Sequence, residues 1–378
     1  MRKSRWLANW ENPSSSGEAK PAIYHCISRV VDRRFVFEKR EREAFRMFMR
    51  MYENFSGCRV LSYCVMSNHF HILLEVPPTS AAGLSDDELL KRLSAIYSQA
   101  FVAEIAKELR QARRDKTQKY ISEIHQRFTY RMHNLSEFMK ALLIRFTRWF
   151  NRTHSRTGTL WEERFKSVIV ESGTAARTMA AYIDLNPVRA GMVKDPAEYR
   201  WSSYGEAIGG GAKGNGKKAR AGLMRAYFSD QTTAPDAENW REISRLYRRL
   251  MGISLGKNAG RATLKKTNKC ITKNDAELLE TKGNETCLDD LNLTKMLRCR
   301  IRYFTDGAVI GSREFVNQAF TAARERFGPN RKDGARKLRG TAAPAAHVLW
   351  SVRDLRVNNG SLAPFRTVNS QASQEGGK

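Results

Sequence analysis

In Val65-Met66-Ser67-Asn68-His69-Phe70-His71-Ile72-Leu73-Leu74-Glu75-Val76, every second residue from Phe70 onward is apolar. Side chains two apart on a β-strand share a face. Phe70, Ile72, Leu74 and Val76 therefore form one apolar row, and His69 and His71 stand side by side on the opposite face, with Glu75 further along it. A strand that buries one face and presents paired imidazoles on the other is expected to belong to an active site. An isolated H-x-H pair is often structural, so the surroundings have to decide.

Outward from this strand, Cys58 to Met66 reads as its hairpin partner, joined through a tight Ser67-Asn68 turn. Upstream, Phe45, Phe48, Met49, Tyr52 and Phe55 have the spacing of an amphipathic helix over Glu41 to Phe55, which Gly57 would end. Tyr24 to Val31 reads as the first strand. Downstream, Leu135 to Arg152 is predicted as a second core helix. Arg164 to Val170 is predicted as a strand, and Thr174 to Leu185 as a short helix closed by Pro187, which cannot continue it.

These elements organise the chain as follows. Residues 1–20 read as a flexible arm, and 21–205 as an α+β domain with a charged helical insertion over 78–134. The glycine- and lysine-rich stretch 206–222 reads as a linker. Residues 223–340 read as a mainly helical basic region. Within it, Leu288 to Phe304, a turn with Gly307 and Gly311, and Ser312 to Phe327 are compatible with a DNA-binding helix-turn-helix. Residues 341–378 have the composition of a disordered tail.

A formal net charge of +27 over 378 residues points to a polyanionic partner, with nucleic acid first. No apolar run reaches the roughly 20 residues that span a bilayer, and no secretory h-region is present. Six cysteines without a C-x-x-C pair indicate reduced thiols in a cytoplasmic protein, expected to be nucleoid-associated where the polyanion is DNA.

Chemistry centres on a second element, Tyr182-Ile183-Asp184-Leu185-Asn186-Pro187. Residues four apart on a helix share a face, so Tyr182 and Asn186 project together, a phenol beside a carboxamide. A tyrosine needs a nearby cation or base to act as a nucleophile. The plainer alternative is that Tyr182 packs as a half-buried ring. Pro187 also disfavours helical geometry at Asn186.

Five motifs occur in a fixed order: Tyr24-His25-Cys26-Ile27-Ser28-Arg29, Met66-Ser67-Asn68-His69-Phe70-His71, Gly158-Thr159-Leu160-Trp161-Glu162-Glu163-Arg164-Phe165-Lys166-Ser167, Tyr182 through Gly191, and Trp201-Ser202-Ser203-Tyr204. In this order the chain resembles the IS200-like tyrosine transposases, members of the HUH endonucleases, and within them the REP-associated branch. The resemblance spans about Ala22 to Tyr204. It implies a ferredoxin-like antiparallel sheet with helices on one face. It also implies cleavage and rejoining of single-stranded hairpin or palindromic DNA through a 5′-phosphotyrosine. By the same resemblance Tyr182 is the nucleophile, and His69, His71 and Asn186 hold a divalent metal, Mg²⁺ or Mn²⁺. Arg29, Arg164, Lys166 and Arg189 are expected to contact DNA, and a homodimer is compatible with it. Two other readings stay open: a non-catalytic nucleic-acid-binding regulator derived from a transposase, and a replication initiator or relaxase.

Overall fold

The computed structural model describes residues 6–8, 20–79, 83–210, 214–230, 240–252, 302–305, 308–327, 331–332, 334–337 and 349–352. Its centre is a sheet built from β1 (Ala22–Arg29), β2 (Arg59–Val65), β3 (His69–Val76) and β4 (Lys166–Val170) in the order β2-β3-β1-β4, every pairing antiparallel. Helix α1 (Lys39–Ser56) connects β1 to β2, and α5 (Leu135–Thr153) leads toward β4. This is the ferredoxin-like β-α-β-β-α-β order.

The apolar row of β3 faces α1 and α5. Phe70 packs on Phe45 with ring centroids 4.6 Å apart and on Trp161 at 5.6 Å, while Phe37 stacks on Phe146 at 5.3 Å. Helix α1 starts at a capping box, Glu38 paired reciprocally with Glu41, and stops at Gly57 in the left-handed conformation; both are signals that the sequence carries. Between β3 and α5 stand α2 (Asp86–Leu93), α3 (Gln99–Arg114) and α4 (Gln118–Thr129), held together by buried Leu89, Leu93, Ile105, Leu109, Ile124 and Phe128.

The histidine face of the sheet is also covered. Helices α6 (Thr174–Asp184), α7 (Asn186–Arg189), α8 (Ser203–Gly209) and α9 (Gly214–Tyr227) follow β4, and α6, α8 and α9 contact β2. The single helical layer therefore describes the four-strand core alone, and the following residues supply a second layer. The Trp201–Tyr204 motif serves as a cover for the edge strand: Val65 N–H donates to Trp201 O, and Tyr63 N–H donates to Ser203 Oγ at 2.8 Å. Such pairing blunts an otherwise open sheet edge.

Several sequence expectations are corrected. Much of the supposed linker is α9, a packed helix. Glycine at 222 is what permits it, because a Cβ there would lie 2.4 Å from Val60 O. In the supposed arm, Trp6 packs on Phe327 at 5.5 Å and Ala8 N–H donates to the Tyr24 hydroxyl. Where the helix-turn-helix reading placed a turn, Val309–Gly311 is a strand, β5, that runs parallel to β4 between α11 (Arg302–Thr305) and α12 (Arg313–Ala322). Residues 288–301 of that reading lie outside the described residues. Strands β6 (Arg336–Lys337) and β7 (Trp350–Val352) complete a seven-stranded order β2-β3-β1-β4-β5-β7-β6, so 350–352 is not tail. The β5 run Ala308-Val309-Ile310-Gly311 is too short for periodicity to reveal. The remainder of 341–378 falls outside the described residues. Among the described residues no helix is long and apolar enough to cross a membrane, and Cys26, Cys58 and Cys64 are buried.

Candidate active site

The antiparallel register sets Ile27 opposite His71 and Arg29 opposite His69 on the face that α6 covers. His25, two residues back on β1, shares that face. Helix α6 lies close because its buried side is largely alanine, at 175, 176, 180 and 181. Its last turn carries Tyr182 to the histidines. The Tyr182 ring is 5.9 Å from that of His71 and 6.0 Å from that of His25, edge-on to both.

Hydrogen bonds determine which nitrogen of each imidazole carries a proton. Phe304 O can only accept, so His25 Nδ1–H donates to it at 3.0 Å. The neutral ring then has a lone pair on Nε2. His71 Nδ1–H must donate to that lone pair, at 2.9 Å. On the other histidine, Asn68 Nδ2–H donates to Arg33 O at 2.9 Å, which turns Asn68 Oδ1 toward His69 to accept from Nδ1–H at 2.7 Å. Both His69 and His71 are thus left with Nε2 as the free lone pair, in rings 5.1 Å apart. Partners on Nδ1 that fix the tautomer are the usual support for metal-binding histidines.

All three imidazoles are neutral at pH 7. Burial lowers the His25 pKa to about 4, and burial with the Arg29 charge does the same for His69. His71 falls well below its ordinary value through burial, with further contributions from His69, His25, Arg189 and Arg29. Desolvation of this size keeps nitrogen lone pairs available.

Asn186 starts α7, with Pro187 in the first turn. Its Nδ2–H group donates to Tyr182 O and Ile183 O, both at 3.2 Å. The amide is thereby oriented, and Oδ1 is its lone-pair end. Among the described residues no group of three His, Cys, Asp or Glu side chains is placed to hold a metal. Two imidazole nitrogens and an amide oxygen nonetheless fit a divalent cation in donor chemistry.

The other expected residues fall in different places. Arg29, Arg164 and Lys166 are exposed, Lys166 on the β4 position opposite Ile27. Arg189 is turned inward: its guanidinium lies 4.2 Å from the Tyr182 ring centroid, and Nη2 donates to Tyr182 O at 2.7 Å. Glu75 is fully buried and ion-paired to Arg59 at 2.8 Å and Arg225 at 2.9 Å, so it ties β2 and α9 to β3 and takes no part at the histidines. Tyr182 is only 1% exposed, and Phe304 of α11 stacks on it at 4.4 Å.

His25 and Phe304 are the residues that motif reading missed. His25 was detectable in principle, because it repeats the two-residue phase of a strand adjacent to β3. Phe304 lies 122 positions beyond Tyr182 and no local pattern links them.

With this geometry in view, residues 19–117 match the family described as "Transposase IS200 like". The matching segment includes His25, His69 and His71, and Tyr182 lies beyond it. Among solved structures, a REP-associated tyrosine transposase bound to a REP hairpin aligns at 12% identity with a TM-score of 0.33, covering 54% of this chain and 89% of that one. No curated protein matches the chain.

Proposed function

We propose that the protein is a DNA strand-transfer enzyme that cleaves and rejoins single-stranded, hairpin-bearing DNA through Tyr182. The observation that carries this reading is the pair of Nε2 lone pairs, fixed by His25 and Asn68, beside a tyrosine ring within 6.0 Å of two imidazoles. His69, His71 and Asn186 would hold Mg²⁺ or Mn²⁺, which when bound polarises a phosphate oxygen. Tyr182 Oη attacks the scissile phosphorus and the 3′ oxygen leaves, giving a 5′-phosphotyrosine and a free 3′-hydroxyl. The Arg189 guanidinium lies against the phenol ring and donates to Tyr182 O, which holds the nucleophile in place. A second 3′-hydroxyl reverses the step and joins a new strand without external energy. Arg29, Arg164 and Lys166 contact backbone phosphates.

One observation favours a second reading, a non-catalytic nucleic-acid-binding regulator: the tyrosine is buried beneath Phe304. A single assay separates the two. Labelled hairpin DNA with Mg²⁺ or Mn²⁺ is run on a denaturing gel after incubation with the full chain. Strand transfer predicts a covalent adduct that is absent in Tyr182→Phe and sharply reduced in His69→Ala. Binding without adduct, across several hairpins and both metals, establishes the regulator instead.

A further inference from the structure

Between β1 and α1 the chain makes a loop, residues 30–38, whose conformation is unusual. Asp32 and Arg33 are consecutive non-glycine residues at φ 56° and 55°, in the left-handed region that L residues avoid. Strain of this kind persists where the surroundings impose it, and it concentrates at functional sites.

Here the surroundings are identifiable. Val30 N–H donates to Asn68 O, Val31 N–H to Leu160 O, and Phe37 N–H to Ser67 O, at 2.9, 3.0 and 3.0 Å. Val30 and Phe37 are buried at the two ends. Arg33 O receives the Asn68 side chain, the same amide that orients His69. The loop is thus stapled to the candidate metal site. Between its buried ends it holds out Phe35, 79% exposed and the most exposed large apolar side chain among the described residues.

A lone exposed aromatic is ordinary on a protein surface. Phe35 differs because an anchored, strained backbone displays it beside exposed Arg33 and Arg34, with exposed Arg29 at the adjoining strand end, while the acids of the loop are Asp32 and, at its far end, Glu38. An apolar ring flanked by guanidiniums is the combination that binds single strands, the ring stacking on a base and the cations following the phosphates.

We infer that Phe35 is a base-stacking platform for one unpaired nucleotide of the DNA strand entering the site, with Arg33 and Arg34 on the neighbouring phosphates. This rests on the strand-transfer reading for its choice of ligand, and it adds a positioning residue outside the catalytic set. Paired bases in a duplex offer no free face to such a ring, so the contact selects unpaired strands.

The test uses the full chain without divalent metal, a fluorescein-labelled single-stranded oligonucleotide, and a blunt duplex of equal length. Phe35→Ala is expected to weaken single-strand binding roughly 5- to 150-fold and to leave duplex binding unchanged, while Phe35→Trp binds like the parent. An abasic site stepped along the strand is expected to cost the parent affinity at one position and to cost Phe35→Ala nothing there. Equal affinities for parent and Phe35→Ala, or equal losses on single strand and duplex, overturn the inference. The adduct assay run in parallel keeps the two ideas apart. An adduct with unchanged Phe35→Ala affinity removes the platform and leaves strand transfer standing; a stacking loss without any adduct does the reverse.

Discussion

His25 shows how a residue can shape a site without touching its ligand. Its ring passes an orientation from a backbone carbonyl, Phe304 O, to His71. His25→Leu removes the acceptor for His71 Nδ1–H and frees that ring to take the other tautomer, whereas a glutamine can accept from His71 and donate to Phe304 at once. Losing such an orienting partner typically weakens metal binding about 10- to 100-fold. The Mn²⁺ concentration for half-maximal adduct formation should therefore rise in His25→Leu and largely recover in His25→Gln. Asp184, next but one to the tyrosine, has a purely structural role. Burial raises its pKa to about 7 even though Tyr204 N–H and the Tyr247 hydroxyl both donate to it. Because the folded-state value lies above the unfolded one, the folded state holds the extra proton between about pH 4 and 7. That stabilisation, on the order of 4 kcal/mol, is complete at the acid end and is lost as pH rises through 7. Asp184→Asn should remove this component while leaving the opposing contribution of the three buried imidazoles, which the two proteins share, so that the variant's urea midpoint rises relative to the parent's between pH 6 and 8.5.

Elements differed in how far the sequence disclosed them. Strand β3 and helix α1 were legible because each buries one face, and burial of one face writes a period of two or 3.6 residues. Helix α9 was not, because Gly214, Gly216 and Gly222 resemble a linker; only the partner backbone at Val60 explains why a glycine belongs in that helix. Helix α11 spans four residues and owes its place to contacts with Tyr182 and His25, which are distant in sequence. Its ring is the cover over the tyrosine. A stacked aromatic pair contributes about 0.5–1.5 kcal/mol, so Phe304→Ala should raise the rate of adduct formation by roughly 2- to 12-fold. The carbonyl that orients His25 belongs to the backbone and survives this substitution. An adduct rate that does not change, measured in single turnover at saturating metal, would show that the ring is no obstacle to DNA.

At the scale of the whole molecule, the family resemblance marked a domain ending near residue 205, but the sheet does not end there. Strand β5 pairs in parallel with β4 through Ile169 and Val170, and α9 seals the outer face of β2. Asp184 is bonded to Tyr247 of α10 (Trp240–Leu250), and the buried Glu206 of α8 is paired with Arg50 and Arg46 of α1. Charge alone could not disclose this, since a net +27 describes a surface and its partners and carries no information about topology. The consequence is specific. A chain stopped after residue 210 keeps Tyr182, His69 and His71 but uncovers Val60, Leu61 and Ile169 and leaves the edge of β4 unpaired. Exposed apolar strands of this kind bind hydrophobic dyes and self-associate. The shortened chain should therefore melt without a sharp transition, bind anilinonaphthalene sulfonate at room temperature and elute from gel filtration as aggregates, while the full chain unfolds cooperatively. If residues 1–210 instead melted as sharply as the parent and stayed monomeric, the C-terminal half would be an appendage to an autonomous domain, and the relay from Phe304 to His71 would be dispensable for folding.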